Sequence, residues 1–257
     1  MASVKVTFLG TGTSQGVPVI GCDCSVCTST NPKDNRLRSS ILIETQNKVF
    51  CVDTGPDFRQ QMLRANVQHL DAVIYTHEHK DHTAGMDDVR AFNFKLKKPI
   101  DLYVDENVDR CLRKEFSYAF TENPYPGVPR LEMHKIINEP FVVDGVEFFP
   151  IQLMHYKLPV FGFRVGDFAY CTDVNFIAPE EKAKLQGLEV LVLTALRKEK
   201  HISHFSLSEA LELIEELKPK RAYLTHISHY LGKHSDVSKE LPDNVELGFD
   251  GLSFKVG

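Results

Sequence analysis

The stretch Ala72-Val-Ile-Tyr-Thr76, followed without a break by His77-Glu-His-Lys-Asp-His82, decides the fold. The first five residues are apolar or β-branched and read as a buried strand. The next six deliver His77, His79, Asp81 and His82. A strand end is a rigid platform, and side chains two apart along it point the same way, so His77 and His79 can grip one ion. Asp81 and His82 fall where a new turn begins and can reach a second ion beside the first. Three imidazoles and a carboxylate behind an apolar strand would be costly without an ion. That donor set accepts zinc, manganese or iron without choosing between them.

Working outward, strand-like runs recur at Val4 to Leu9, Ser40 to Glu44, Lys48 to Val52, Ile100 to Val104, Val146 to Leu153, Val160 to Val165, Phe168 to Thr172, Val190 to Leu193, Ala222 to Thr225 and Leu252 to Val256. Helical patterns cover Pro56 to Asn66, Asp105 to Phe116 and Ser206 to Leu217. The last carries Leu207, Ala210, Leu211, Ile214 and Leu217 on one stripe. Early strands neighbour one another and helices are interspersed in both halves, which suggests two mixed sheets packed together with helices outside. Phe120 to Arg130, broken by Pro124, Pro126, Gly127 and Pro129, reads as a long loop. With no linker or repeat, residues 1–257 read as one domain.

Hydrophobic residues make up 42% and charged residues 25%, the balance of an ordinary globular protein. A net charge of -5 argues against a general affinity for nucleic acid or anionic membrane. No run is apolar for long enough to span a bilayer, and the alternating N-terminus reads as a strand, so a cytoplasmic location is expected. In a reducing compartment the tight cluster Cys22, Cys24 and Cys27 suggests metal, whereas Cys51, Cys111 and Cys171 read as small buried apolar residues.

His-x-His-x-Asp-His resembles the signature of the metallo-β-lactamase superfamily, which implies an α/β architecture, the four-layer αβ/βα sandwich, with two metals at strand ends. The resemblance supplies the remaining ligands in order. Leu153-Met-His155 looks like the third histidine of the first metal. Ala169-Tyr-Cys-Thr-Asp173 resembles the bridging aspartate, and Leu224-Thr-His226 the last histidine, on the second metal. A structural zinc wants four closed ligands, and His229, three residues after His226, is the candidate to join the three cysteines. The loop Thr11 to Gly16, the Cys-x-Cys-x-x-Cys cluster and His226/His229 together are similar to the PhnP-like phosphodiesterases. Since three residues span at most roughly 10 Å, the two metal sites should be near neighbours.

The resemblance implies a hydrolase acting on small cyclic or linear phosphodiesters, among them a ribosyl cyclic phosphate, and a homodimer. Two divalent ions, zinc or manganese, would share a hydroxide and neutralise charge developing on the phosphate. Asp81 is expected to assist proton transfer besides binding metal. His204, just before the strongest helix, resembles a non-ligand catalytic histidine of related enzymes. Gly10 to Gly16 lacks a following helix or a Gly-Lys-Ser/Thr ending, so it is no nucleotide P-loop and reads as a flexible wall near the metals. His69, His134 and His234 read as surface residues. Rival readings are a tRNA 3′-end processing endonuclease, a thioesterase-type hydrolase and a non-hydrolytic PqqB-like relative. Against the first, Asn123 to Pro129 is a short and hardly basic arm.

Overall fold

The computed structural model describes residues 3–257, and within them the apolar runs pair into two sheets. The first part of the chain forms β1 (Val4–Gly10), β2 (Ser40–Thr45), β3 (Lys48–Val52), β4 (Ala72–Ile74), β5 (Ile100–Val104) and β6 (Leu131–Lys135). The second forms β7 (Phe141–Val143), β8 (Val146–His155), β9 (Leu158–Val165), β10 (Phe168–Cys171), β11 (Phe176–Ile177), β12 (Val190–Thr194), β13 (Arg221–Thr225) and β14 (Val245–Leu247). A last strand, β15 (Ser253–Val256), returns to pair with β1, so the sheet orders are β15-β1-β2-β3-β4-β5-β6 and β11-β8-β9-β10-β12-β13-β14, with β7 on β8.

Antiparallel hairpins give way in each sheet to parallel pairing, from β3 to β6 and from β10 through β12 and β13 to β14. Parallel neighbours need a crossover, usually helical. These crossovers are α1 (Phe58–Arg64), α2 (Lys80–Thr83), α3 (Arg90–Leu96) and α4 (Glu106–Glu115) in the first half. In the second they are α5 (Pro179–Ala183), α6 (Leu207–Leu217) and α7 (His234–Val237). The sheets pack face to face through Phe50, Phe148, Phe163, Tyr170 and Phe254. Phe50 meets Phe148 edge-on at 5.4 Å and Phe141 stacks on it at 5.6 Å. Phe58, Met62, Phe92 and Leu112 cover the outer face of the first sheet, and α6 covers that of the second. The result is the four-layer αβ/βα sandwich of the metallo-β-lactamase fold.

Every strand expected from the sequence is present, its ends displaced by a residue or two. The strands β6, β7, β11 and β14 were not foreseen: β6 is half-buried and β11 is only two residues long, so neither carries a strong pattern. Helices α2, α3, α5 and α7 are likewise unforeseen, none of them longer than two turns. Residues 120–130 form the expected loop. On α6 the buried stripe is Leu207, Ala210, Leu213, Ile214 and Leu217. Leu211 is only partly buried, because the helix is turned so that Leu213 takes the inward place. Ser206 caps it in a reciprocal box with Glu209. No helix among the described residues is long and apolar enough to cross a membrane.

Phe148 is fully buried where the sheets meet. Phe148→Ala should therefore cost about 3–5 kcal/mol in urea denaturation, whereas Phe94→Ala, at an exposed site, should stay within about 0.5 kcal/mol. Equal losses would mean that the inter-sheet aromatics are not the core.

Candidate active site

The parallel strands of both sheets run out at one edge of the sandwich, and the chemistry-bearing residues sit just beyond their ends, where ligands bind in open α/β sheets. Asp53 follows β3, His77 follows β4, Asp173 follows β10 and His226 follows β13. Asp53, Asp173 and His226 have φ of 66°, 53° and 56°. Left-handed backbone at three non-glycine positions is strain of the kind that clusters at functional sites. Gly55 lets the loop after β3 press against the metal-motif turn, since a Cβ there would lie 2.2 Å from the Asp81 carbonyl oxygen.

Hydrogen bonds set the direction of the imidazoles. Thr76 donates its hydroxyl to Asp53 Oδ2 (2.8 Å), so its oxygen is free to accept from His77 Nδ1 (2.9 Å). His82 Nδ1 donates to Asp53 Oδ2 at 2.7 Å, and His155 Nδ1 donates to the Ser203 carbonyl at 2.8 Å. Each of these rings thereby keeps Nε2 unprotonated and available, the arrangement by which outer partners orient metal-binding histidines. His77 Nε2 and His79 Nδ1 come within 3.1 Å, and the His155 ring lies 5.2 Å from that of His79. Beside them His82 Nε2 is 3.3 Å from Asp81 Oδ2 and 3.2 Å from Asp173 Oδ2. His226 Nε2 is 3.0 Å from Asp173 Oδ1 and 3.7 Å from Asp81 Oδ2.

The structure thus brings His77, His79, Asp81, His82, His155, Asp173 and His226 together. Asp81, His82, Asp173 and His226 each offer an atom within 4.8 Å of the others. His82 Nε2 and both ring nitrogens of His226 are buried without a hydrogen-bond partner, although carboxylate oxygens stand close by. The donors crowd toward common points, as groups do that share an ion. Burial opposes ionisation of Asp173, yet His226 and His82 hold it well below the usual carboxylate range. A buried, ionised carboxylate among unpartnered nitrogens fits a divalent cation. His204 is also buried, its ring 4.6 Å from His155 and 4.7 Å from His226, with Nδ1 unpartnered. Burial, then His226, lowers its pKa to about 2.

The cysteine loop forms a second donor set. His229 Nδ1 lies 3.3, 3.4 and 3.4 Å from the sulfurs of Cys22, Cys24 and Cys27. Backbone N–H groups of Cys27 and Val19 donate to Cys24 and Cys27 Sγ. The Cys27 amide and then His229 lower the Cys24 thiol to about 6, whereas burial raises Cys27 to about 11. Four such donors, three of them able to be thiolates, fit a closed structural zinc site. Cys51 and Cys171 are buried as expected, and Cys111 is half-buried.

Sequence reasoning missed Asp53. Its only signal is the Asp53-Thr-Gly55 run that ends an apolar strand, and an aspartate there reads as a turn residue. The loop expected to be a flexible wall is tied down instead: Gly12 bridges to both Arg38 and Ile227, and Thr11 donates to Asp250.

Residues 49–227 match the family model of the beta-lactamase superfamily domain. The chain belongs to the metallo-β-lactamase superfamily. Within it the chain is PhnP-like. A solved structure described as a new diphosphatase from the PhnP family superposes with a TM-score of 0.94 at 38% identity, covering 100% of this chain and 98% of that one. A Porphyromonas gingivalis protein named octanoyltransferase is 38% identical over 252 residues, 97% of this chain. The chain spans only 51% of that relative's length. A ribonuclease Z from Thermosynechococcus vestitus is 25% identical over 168 residues, 64% of this chain and 37% of that protein.

Of the histidines expected at the surface, His69 is exposed and His134 is half-buried, but His234 is buried. Tertiary packing places it against Arg36, whose Nη2 donates to His234 Nδ1 at 3.2 Å. Burial first, then Arg36 and Lys33, lower the His234 pKa from 6.5 to about 4. The ring is neutral in the folded protein, while the unfolded chain takes up its proton below about pH 6.5. Its contribution to stability is therefore complete above pH 6.5 and is lost progressively as pH falls toward 4. The melting temperature of His234→Asn, which keeps an acceptor for Arg36, should fall less steeply over that window than wild type. Parallel slopes would remove His234 from the acid response.

Proposed function

We propose that this chain is a two-metal phosphodiesterase that hydrolyses small cyclic or linear phosphodiesters. The observation that carries the reading is that Asp81, His82, Asp173 and His226 each offer an atom within 4.8 Å of the others, with His82 Nε2 and both His226 nitrogens buried and unpartnered, while His77, His79 and His155 pack together beside them. His77, His79 and His155 would hold one divalent ion, His82 and His226 the other, with Asp173 between them and Asp81 beside the second. Ions so held supply Lewis-acid stabilisation of phosphoryl oxygens and acidify a water molecule. Zinc or manganese suits these donors, and zinc suits Cys22, Cys24, Cys27 and His229.

The chain's own groups then have separable tasks. Asp53 fixes His82 and, through Thr76, His77. Asp81, at the open side of the pocket, accepts the proton of the attacking water. His204 presents an imidazole N–H to a phosphoryl or leaving oxygen. Water adds across the P–O bond: its oxygen stays on phosphorus, the ester oxygen leaves with a proton, and a monoester and an alcohol result. Similarity to the described diphosphatase favours a second reading, in which the bond broken is a phosphoric anhydride at the same site. The net charge of -5 and the short 120–130 loop weigh against a tRNA-processing role. The intact His77 to His82 set weighs against a PqqB-like, non-hydrolytic one. A cytoplasmic location, expected from the sequence, and a homodimer, carried over from the family, accompany this reading.

Protein loaded with zinc or manganese should hydrolyse bis-p-nitrophenyl phosphate, and His204→Ala should lower kcat by roughly 10²–10⁴ with metal content unchanged. Unchanged turnover would remove His204 from the mechanism. Cys24→Ser should reduce bound zinc by about one ion per chain and lower the melting temperature. An unaltered zinc count by elemental analysis would rule out the cysteine cluster as a metal site.

A further inference from the structure

A cleft of about 420 Å³ opens beside the donor residues, with Gln15, Ile20, Arg197, His201 and Tyr230 in its lining. It shares a wall with the cysteine set and reaches toward the donor cluster through His201. His229 of the cysteine set lines it, and the His201 ring lies 5.3 Å from that of His204. In a chain of net charge -5, no aspartate or glutamate lines this cleft. Its side chains offer one guanidinium, imidazoles, hydroxyls, an amide and the Cys22 sulfur, with Ile20 and Tyr230 exposed.

Two of these groups are set up as donors. Arg197 gives Nε and Nη2 to the carbonyls of Glu199 and Lys200, at 3.3 and 2.9 Å. Its own loop thus holds the guanidinium in place, and among the described residues no carboxylate pairs with it. In His201, Nδ1 accepts from the Ser203 amide at 3.3 Å, so Nε2 carries the proton. A guanidinium held by neutral carbonyls keeps its full charge for a partner. An acyl chain in this cleft would desolvate that charge without compensation, whereas a phosphate would meet it with the planar, charge-assisted bonds that arginine favours.

We propose that this cleft seats a second phosphate of the substrate, bound by Arg197 and His201, while the neighbouring phosphate is cleaved at the donor cluster. Adjacent phosphoryl groups share one bridging oxygen, so a substrate held at the cluster carries its second phosphate straight to the adjoining wall. The preferred substrates are then diphosphate-bridged diesters, with the organic group leaning on Ile20 and Tyr230. The assignment rests on the phosphoester reading above and sharpens it. Arg197 is a specificity-determining residue and takes no part in bond breaking.

The test compares the p-nitrophenyl esters of thymidine 5′-monophosphate and thymidine 5′-diphosphate, which differ by one phosphoryl group. Products are followed by phosphorus NMR on metal-loaded protein. Wild type should favour the diphosphate ester in kcat/KM. Arg197→Gln should cut that preference by roughly ten- to a hundred-fold, the loss expected for a hydrogen bond to a charged group. Arg197→Lys, which keeps the charge but loses the fork, should fall in between with wild-type melting behaviour. A preference unchanged in Arg197→Gln, or no wild-type preference for the diphosphate ester, overturns the second-phosphate site alone. Failure of metal-loaded wild type on both esters overturns the phosphoester reading itself, and the subsite with it.

Discussion

Asp53 is fully buried and accepts three hydrogen bonds, from the Thr76 amide, the Thr76 hydroxyl and His82 Nδ1, at 2.8, 2.8 and 2.7 Å. On the first-sheet side of the site that carboxylate aims His82 directly and His77 through Thr76. It joins the end of β3 to the end of β4 and to the turn after it. It also determines which nitrogen of His82, and through Thr76 which nitrogen of His77, is left to face the pocket. Burial raises the Asp53 pKa, yet His82 against it favours the ionised form. The carboxylate is a hydrogen-bonded anchor in a dry place, where removing one donor leaves an uncompensated group.

The second sheet answers with a different device. Asp173 is held by its amide donating to Thr194 Oγ1 and by the Thr172 hydroxyl donating to its own Oδ2. His155 is steered by the Ser203 carbonyl and leans on His204. Parallel pairing of β10, β12 and β13 delivers Asp173, the 195–206 segment and His226 to one rim. The aromatic layer between the sheets then holds that rim against the one ending in His77. Fold stability and site geometry therefore share a cause: strands that end together because hydrophobic faces align them.

How much of this was legible in the sequence follows from how local each signal is. The His77 to His82 set is contiguous, so chemistry and platform could be read together. His155, Asp173 and His226 stand alone, each an ordinary histidine or aspartate after a strand, and only a family order marked them. Asp53 escaped because its role depends on two strands meeting, which no local pattern encodes. His234 was misjudged for the same reason, since its burial is created by Arg36, distant in the chain. On α6 the pattern established the helix but not its rotation, which the packing of Leu213 decides. Short elements such as β11 and α7 exist because their neighbours hold them, with little intrinsic preference to read.

The four donors of the cysteine cluster come from two places separated by 202 to 207 positions in the chain. Such a constellation has no local nucleus. Loop-closure entropy opposes bringing these segments together in an unstructured chain, so the four-donor arrangement is a product of the completed topology and not its seed. A peptide carrying only the three thiols would be an open, promiscuous chelator, while the finished protein encloses them. Capture of that ion thus reports that the opening and closing portions of the polypeptide have met, a built-in certificate of correct assembly.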